Sequence, residues 1–452
     1  MRQKDKTLII ETSLISPHSE TGLELYLTDI DRGNLPYYLD LYNYLPTVEN
    51  YIFRENKFFK EKALDFTKKI RNHFQINFVK IPNLKIPNIL IPDFSKVELE
   101  SLYIESFPIG KSIRSMLHSM CKLDEIDLSD EKSQAVAELL YLLGAQAYYT
   151  TYFALDSLNP NLAYIFNGRY VTSAACKYAC KKRKVKYLLH ERGSSHETFK
   201  LTADQSLQNI ETFHRNVISY CKLFPDEIIS IVAAKFYTSN RKKVELVTGQ
   251  HSKNQIPDKV PPYCNTSDYS VYFCSSQNEI CEDEKSEWDI GLGCQREAVA
   301  ALVKIFTKHK KLLVIRMHPN SGNQSEKDLL FYNSIKSDYV RIILPNDTYC
   351  SYRLAENSET VISFISTMGI EASYLGKPVI CMGKSAYYFS DDIMKPRNVH
   401  DLENYVLNPI MPENRRSAEK IGFYLTEVGF NHFYYKPEAL FSGKIKNVNI
   451  FE

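Results

Sequence analysis

The chain has 452 residues, a length that suits two α/β domains better than one core. Hydrophobic residues make up 44%, enough for sizeable cores, while charged residues make up 24% with a formal net charge of +2. That balance argues against a dedicated nucleic-acid binder, which carries a strongly basic domain or stripe. Ten cysteines without a single CxxC pair argue against a zinc ribbon or a disulfide scaffold and fit reduced thiols.

The opening MRQKDKTLIIETS has an apolar stretch too short for a signal-peptide core. No run of about 18 apolar residues follows, so no membrane-spanning helix is expected and a cytoplasmic protein is. Residues 7–10 read as a short buried strand. A loop over Ser13–His18 follows, then a helix from Glu20-Thr21 with Leu23, Leu25 and Leu27. Residues 51–75 are helical in character. Residues 53–80 hold eight Lys/Arg against three Asp/Glu, which suits either a solvated helix face or peripheral contact with the inner membrane. The pentads IPNLK-IPNIL-IPD at 81–93, with Pro82, Pro87 and Pro92, forbid a regular helix and predict an extended arm packed on the surface.

Residues 101–106 are a strand candidate. A helix opens at Ser112 with Ile113, Met116, Leu117 and Met120 on one face, and a long apolar helix over 134–155 ends at Asn159-Pro160. Then come a strand at 162–166, a loop at Asn167-Gly168-Arg169, a helix at 172–182, a strand at 185–189 and a terminal loop His190-Glu191-Arg192-Gly193. Strand-helix-strand at this spacing implies parallel pairing, with ligands beyond the carboxyl ends of the strands. Cys176 and Cys180 share a helix face and read as core thiols.

Residues 246–268, punctuated by Pro257, Pro261 and Pro262, read as a linker between an N-terminal domain at 1–245 and a second domain at 269–410. The second domain repeats the pattern. Strands are expected at 270–274, 312–315, 339–344, 361–364 and 378–382, and helices at 295–309, 348–357 and 370–375. Residues 411–452 are expected to be helical and to cross back to the first domain. The fold class is α/β, with two Rossmann-like domains facing a central cleft.

Two motifs of the second half carry chemistry. In VISFISTMGIEASYLGKPVICMG at 361–383, a strand, a hydroxyl-rich turn and a helix start follow in order. Ser366 and Thr367 add hydroxyl donors to the free N–H groups of a helix start, Gly369 permits close backbone approach, and Glu371 suits sugar or ribose hydroxyls. Plain helix capping explains the same residues. In RMHPN at 316–320, His318 ends a strand and is pinned by Pro319. As imidazolium it suits a leaving phosphate, with Arg316 beside it.

Together these segments resemble the C-terminal half of capsule polysaccharide biosynthesis proteins. Those are similar to bacterial Kdo transferases and, more distantly, to bacterial sialyltransferases and teichoic-acid polymerases. FCSSQNEI at 273–280, IFNGRY at 165–170, LLHERGSS at 188–195 and SPHSETGLEL at 16–25 extend the resemblance in patches. It implies a GT-B glycosyltransferase whose C-terminal domain holds a nucleotide sugar, CMP-linked in the Kdo branch, and whose N-terminal domain holds a glycan or lipid-linked glycan acceptor. His318 would assist departure of the donor phosphate. Ser366, Thr367 and Gly369 would form the phosphate loop, Glu371 would hold donor hydroxyls, and Ser275, Ser276 and Glu279 would line the donor side. No Asp-x-Asp motif is present, and such enzymes commonly act without a catalytic metal; no cofactor beyond the donor is expected. GKSAYYFSDD after Gly376-Lys377-Pro378 departs from the Kdo pattern.

Candidates for the general base are His18, Glu20, Asp29 and Glu191. Asn167, Arg169 and Arg192 suit acceptor binding. A polyol-phosphate transferase, a sugar-nucleotide epimerase and a non-catalytic capsule-locus scaffold are the alternatives on this fold.

Overall fold

The computed structural model describes residues 4–12, 17–45, 66, 68–81, 84, 86–121, 126–193, 195, 197–203, 210–245, 255–275, 288–319, 326–439 and 442–449. The chain divides into two compact units: unit 1 is Met1–Leu117, Ile126–Leu207 and Val428–Glu452, and unit 2 is His118–Glu125 and Gln208–Glu427. Pro82, the Ser276–Glu279 stretch and residues 53–65 and 67 of the basic segment lie outside the described residues.

In unit 1 the apolar run Lys6–Glu11 forms β1, His18–Asp31 α1 and Leu35–Asp40 β2. Then come α2 (Ile109–Cys121), α3 (Glu131–Leu158), β3 (Leu162–Phe166), α4 (Val171–Arg183), β4 (Lys186–Arg192) and β5 (Thr198–Ala203). β2, β1, β3 and β4 pair in parallel and β5 adds antiparallel to β4. Asp130 starts α3 by accepting from the Ser133 N–H at 2.9 Å, and left-handed Asn159 ends it ahead of Pro160. α3 packs on α4 through Gly144, where a Cβ would stand 2.6 Å from Val171.

Residues 101–106 are not a strand. Leu99–Ser101 is a 3-10 turn, and Ile104 and Phe107 exchange backbone hydrogen bonds at 2.9 Å around left-handed Glu105. Leu102, Ile104 and Phe107 are buried by that tight turn instead of by a ladder. In the Ile-Pro segment Leu90 is 81% exposed while Leu84, Ile86 and Ile89 are partly buried and Phe94, just beyond it, is buried, so its described residues pack only in part.

Apart from His118–Glu125, which takes in the end of α2, unit 2 holds α5 (Ile210–Cys221) and α6 (Asp226–Glu245) and continues with β6 (Tyr269–Phe273), α7 (Gln295–Lys308), β7 (Leu312–Arg316), α8 (Glu326–Ser334) and β8 (Val340–Ile343). It is completed by α9 (Ser351–Asn357), β9 (Thr360–Ser363), α10 (Met368–Tyr374), β10 (Val379–Cys381), α11 (Val399–Leu407) and α12 (Arg416–Glu427). The sheet runs β10-β9-β6-β7-β8, all parallel. Counted within the unit this is the doubly wound order, with its switch point beside β6.

The chain enters unit 2 after residue 207, not at the linker read from 246–268. Packing sets the boundary. Tyr237 of α6 donates to the Ala418 carbonyl of α12 at 2.8 Å and stacks on Tyr374 at 4.0 Å, and Gly422 leaves room for its ring.

The C-terminal segment is helical only as far as Glu427. Beyond it lie β11 (Phe430–Asn431), β12 (Tyr435–Ala439), β13 (Ser442–Ile445) and β14 (Val448–Asn449). β11 joins the edge of the first sheet against β5, and β12–β14 form a small antiparallel sheet. Both belong to unit 1. No helix among the described residues is long and apolar enough to cross a membrane.

Candidate active site

The carboxyl ends of β7, β6 and β9 are neighbours in the second sheet, and each carries a residue expected in the site: His318, Ser275 and Ser366-Thr367. Ser275 ties two of these ends together. Its N–H donates to Gln295 Oε1 at 2.8 Å, and its hydroxyl oxygen accepts from the Ile365 N–H at 2.9 Å. Gln295 is buried at the start of α7 and also accepts from Tyr272 at 3.0 Å. Ser275 therefore ties the end of β6 to the start of α7 and to the segment after β9.

α10 opens at Thr367, an exposed residue whose side chain makes no cap. Ser366 does the capping: its carbonyl accepts from the Gly369 N–H at 3.0 Å, and its hydroxyl lies 3.4 Å from the Met368 N–H. α10 is only 7 residues long, so its dipole is weaker than that of a full helix. Gly369 is required from beneath: a Cβ there would stand 2.3 Å from the Tyr387 hydroxyl, which also meets Ser363 Oγ at 2.8 Å and the Ser366 carbonyl. Glu371 is buried and accepts from the Tyr352 hydroxyl.

Arg316 stands differently from the expectation that it pairs with donor phosphates. It is 2% exposed, and its guanidinium donates to the Leu344 carbonyl and, at 3.1 Å, to the Asp347 carbonyl. Burial lowers its pKa and Asp347 opposes the shift. A guanidinium committed to two carbonyls braces the loop after β8. Ser276 and Glu279 are outside the described residues.

In unit 1 the switch point lies between β1 and β3. His18 opens α1 with its ring stacked on Phe166 at 3.9 Å, and its Nε2 is 3.7 Å from Glu191 Oε1. Glu191 is held further by Asn167 Nδ2 at 2.7 Å and the Arg192 N–H at 2.9 Å. Left-handed Asn167 accepts the Arg169 N–H at 3.1 Å. Thus His18, Asn167, Glu191 and the backbone of Arg169 converge. Glu191 and Arg192 belong to β4, not to a loop, because β5 pairs with them as far as Phe199.

Burial pulls the His18 pKa down to about 4, against the Glu191 charge that raises it and alongside Arg192 that lowers it, so the ring is neutral at pH 7. Among the described residues its Nδ1 has no hydrogen-bond partner. Glu20 is fully buried and accepts from the Tyr435 hydroxyl at 3.2 Å. Asp29 accepts from Asn34 at 3.0 Å and lies eleven residues along α1, about 16 Å from its start, which removes it from the cluster.

Several residues of this neighbourhood give no local signal in the sequence. Glu24 receives the backbone N–H groups of Phe433, Tyr434 and Tyr435 at 2.7, 2.9 and 2.9 Å. The His432 side chain is buried 4.0 Å from Glu24, and neither ring nitrogen is hydrogen-bonded among the described residues. Burial lowers its pKa to about 4. His190, also buried, is lowered to about 3 by burial first and by the two other histidines second. Among the described residues no group of three His, Cys, Asp or Glu side chains is arranged to hold a metal ion.

Residues 234–400 match the family model for capsule polysaccharide biosynthesis proteins, a stretch that includes every strand of the second sheet. No curated protein matches the chain. Among solved structures, the beta Kdo 2,4 transferase KpsC of Thermosulfurimonas dismutans is 10% identical, with 58% of this chain and 79% of that chain covered at a TM-score of 0.38. The UDP-GlcNAc 2-epimerase of Methanocaldococcus jannaschii is 13% identical, with 93% and 99% covered at 0.32. A glycosyltransferase of Rickettsia africae is 12% identical, with 95% of both chains covered at 0.28. At such scores these likenesses carry no argument about substrate.

Proposed function

We propose that this chain is a glycosyltransferase of capsule or surface-polysaccharide assembly. In this reading unit 2 holds a nucleotide-sugar donor and unit 1 a glycan or lipid-linked glycan acceptor, and the protein works in the cytoplasm, at or near the inner face of the membrane. The observation that supports the reading is one coincidence: the capsule-family match spans the adjacent strands β6, β7 and β9, and the segments that follow their carboxyl ends carry Ser275, His318 and Ser366-Thr367.

The chemistry divides between the units. His318, donating to the donor phosphate next to the sugar, takes up charge as that phosphate leaves. Ser366 and Thr367 offer hydroxyls to the same phosphate, and Glu371 holds donor hydroxyls from the first turn of α10. On the acceptor side Glu191 is the most accessible carboxylate of the cluster and serves as general base. Neutral His18 stands behind it, 3.7 Å away, to share the proton, and Asn167 fixes the carboxylate.

Thermal shift with CMP, CDP, UDP and GDP tests the donor site. One nucleotide at about 100 times its dissociation constant should stabilise the protein by roughly 2.7 kcal/mol. The reading predicts stabilisation by one nucleotide over the others, weakened in His318→Ala. No stabilisation by any of them at millimolar concentration refutes the donor site and leaves a non-catalytic protein as the better account.

A further inference from the structure

The end of α4 carries a run of positive charge that the mechanism above does not use. In KKRKVK at 181–186, Lys181, Lys182, Arg183, Lys184 and Lys186 are all exposed, and no Asp or Glu occurs between Thr172 and His190. Lys184 caps α4 and Lys186 opens β4, so the run stands at the amino ends of the parallel strands. Glu191 lies five residues along β4 from Lys186, about 16 Å toward the opposite edge of the sheet. The run is therefore separate from the cluster around Glu191.

Two of the five cations are met by carboxylates. Lys182 Nζ is 2.9 Å from Glu105, and Arg183 pairs with Asp156 and lies over the Tyr152 ring at 5.1 Å. Lys181 lies over the Tyr178 ring at 5.3 Å. Lys184 and Lys186 form no ion pair among the described residues. The helix dipole accounts for cations in the last turn of α4, which ends at Arg183, but it does not account for Lys186 in the strand. Unit 2 supplies a contrast. At the end of α7, also just before a strand, three of the four basic residues at 308–311 are answered. Lys308 and His309 meet Glu403 at 2.7 and 2.6 Å, and Lys311 meets Glu359 at 3.1 Å.

We infer that the end of α4 docks on an anionic bilayer surface, with its lysines among the phosphate headgroups. This rests on the placement at the inner face of the membrane proposed above. The cations crown the end of a helix. Such a crown meets a flat charged surface at several points at once, whereas a chain-like polyanion is held along a groove that tracks it. Tyr103 adds an amphipathic ring of the kind that settles at headgroup level: it is 55% exposed and stands two residues before Glu105, the partner of Lys182.

Flotation of the full chain with vesicles tests the inference, comparing phosphatidylcholine alone with phosphatidylcholine mixed with phosphatidylglycerol. The expected result is flotation with the mixed vesicles only, falling steeply as salt is raised. Lys184→Glu combined with Lys186→Glu should weaken it at least about tenfold. Lys310→Glu, at the helix end of unit 2, should leave it unchanged. No flotation with phosphatidylglycerol, equal flotation with both vesicles, or a double variant matching wild type would each overturn the inference. If soluble hyaluronate or DNA binds and the vesicles do not, the run serves a chain-like polyanion and the inference fails. Nucleotide stabilisation measured on the same preparations shows that the variants are folded and separates the two readings. Intact nucleotide binding without vesicle binding sinks this inference alone. Vesicle binding without any nucleotide binding sinks the transferase and leaves the docking surface standing.

Discussion

His18, His190 and His432 are held as neutral rings in one neighbourhood of unit 1, with pKa values of about 4, 3 and 4 against an ordinary 6.5. A depressed pKa contributes stability that is present above the unfolded value and is lost as pH falls through 6.5 toward the folded values. Each group adds up to about 1.4 kcal/mol per pH unit in that window. Glu24 is shifted the other way, raised by burial against the backbone N–H groups it accepts, so its contribution is fully present below its ordinary 4.5, is lost as pH rises through the raised value, and offsets only part of the effect of the three histidines. Denaturant unfolding at pH 7 and pH 5 should therefore differ by at least about 2 kcal/mol, with pH 5 the less stable. His190→Phe should shrink the difference, and a flat profile would show that these rings are not buried together. A second prediction at this scale concerns Glu191. Glu191→Gln should lower kcat by about a hundredfold or more while leaving nucleotide stabilisation unchanged; a variant with full turnover would remove Glu191 as base. His18, Asn167 and Glu191 were legible as candidates because each stands at or near the carboxyl end of a strand. His432 and Glu24 were not: a bond such as Tyr435 to Glu20 joins positions 415 apart, and no local pattern encodes it.

At the scale of elements, the strands and helices of both sheets could be read because their cores are short apolar runs between turn residues. The LAYIF strand matches its expected span, and the helix before Asn159-Pro160 ends where the left-handed Asn stops it. Errors fell where tertiary pairing decides. β4 runs on through His190, Glu191 and Arg192 because β5 supplies a partner, and the final strands are two to five residues long, too short to show periodicity. Residues 101–106 alternate like a strand but close into a turn whose neighbour imposes a strict demand. A Cβ on Gly110 would lie 1.5 Å from the Leu99 carbonyl oxygen. Gly110→Ala must push α2 away from that turn and should destabilise the protein by about 3 kcal/mol or more, read from the denaturation midpoint. An unchanged midpoint would mean that the turn moves freely.

For the whole molecule, the two-unit division explains why the last residues matter to the first. Glu24 in α1 anchors the backbone of 433–435, and Tyr435 and Ile445 are buried in the same core cluster as Ile9 and Leu23. A chain ending at Glu427 loses those contacts and leaves Glu24 buried without its three donors, a cost of at least several kcal/mol by the usual penalty for unsatisfied charged groups. Limited proteolysis should then cut unit 1 while unit 2 keeps its nucleotide stabilisation; equal resistance of both units would contradict the anchoring. The unit 1 cluster was less legible than the unit 2 motifs because its parts come from four separated stretches of chain, whereas His318 and the Ser366-Thr367 turn each sit in a compact motif. The central claim is sugar transfer, and acceptor-dependent turnover tests it most directly: release of free nucleotide from the nucleotide sugar that the binding panel selects, with and without a glycan acceptor. The account predicts release that requires the acceptor and falls sharply in His318→Ala. Conversion of the nucleotide sugar with no acceptor present, or bound nucleotide with no turnover under either condition, would contradict it.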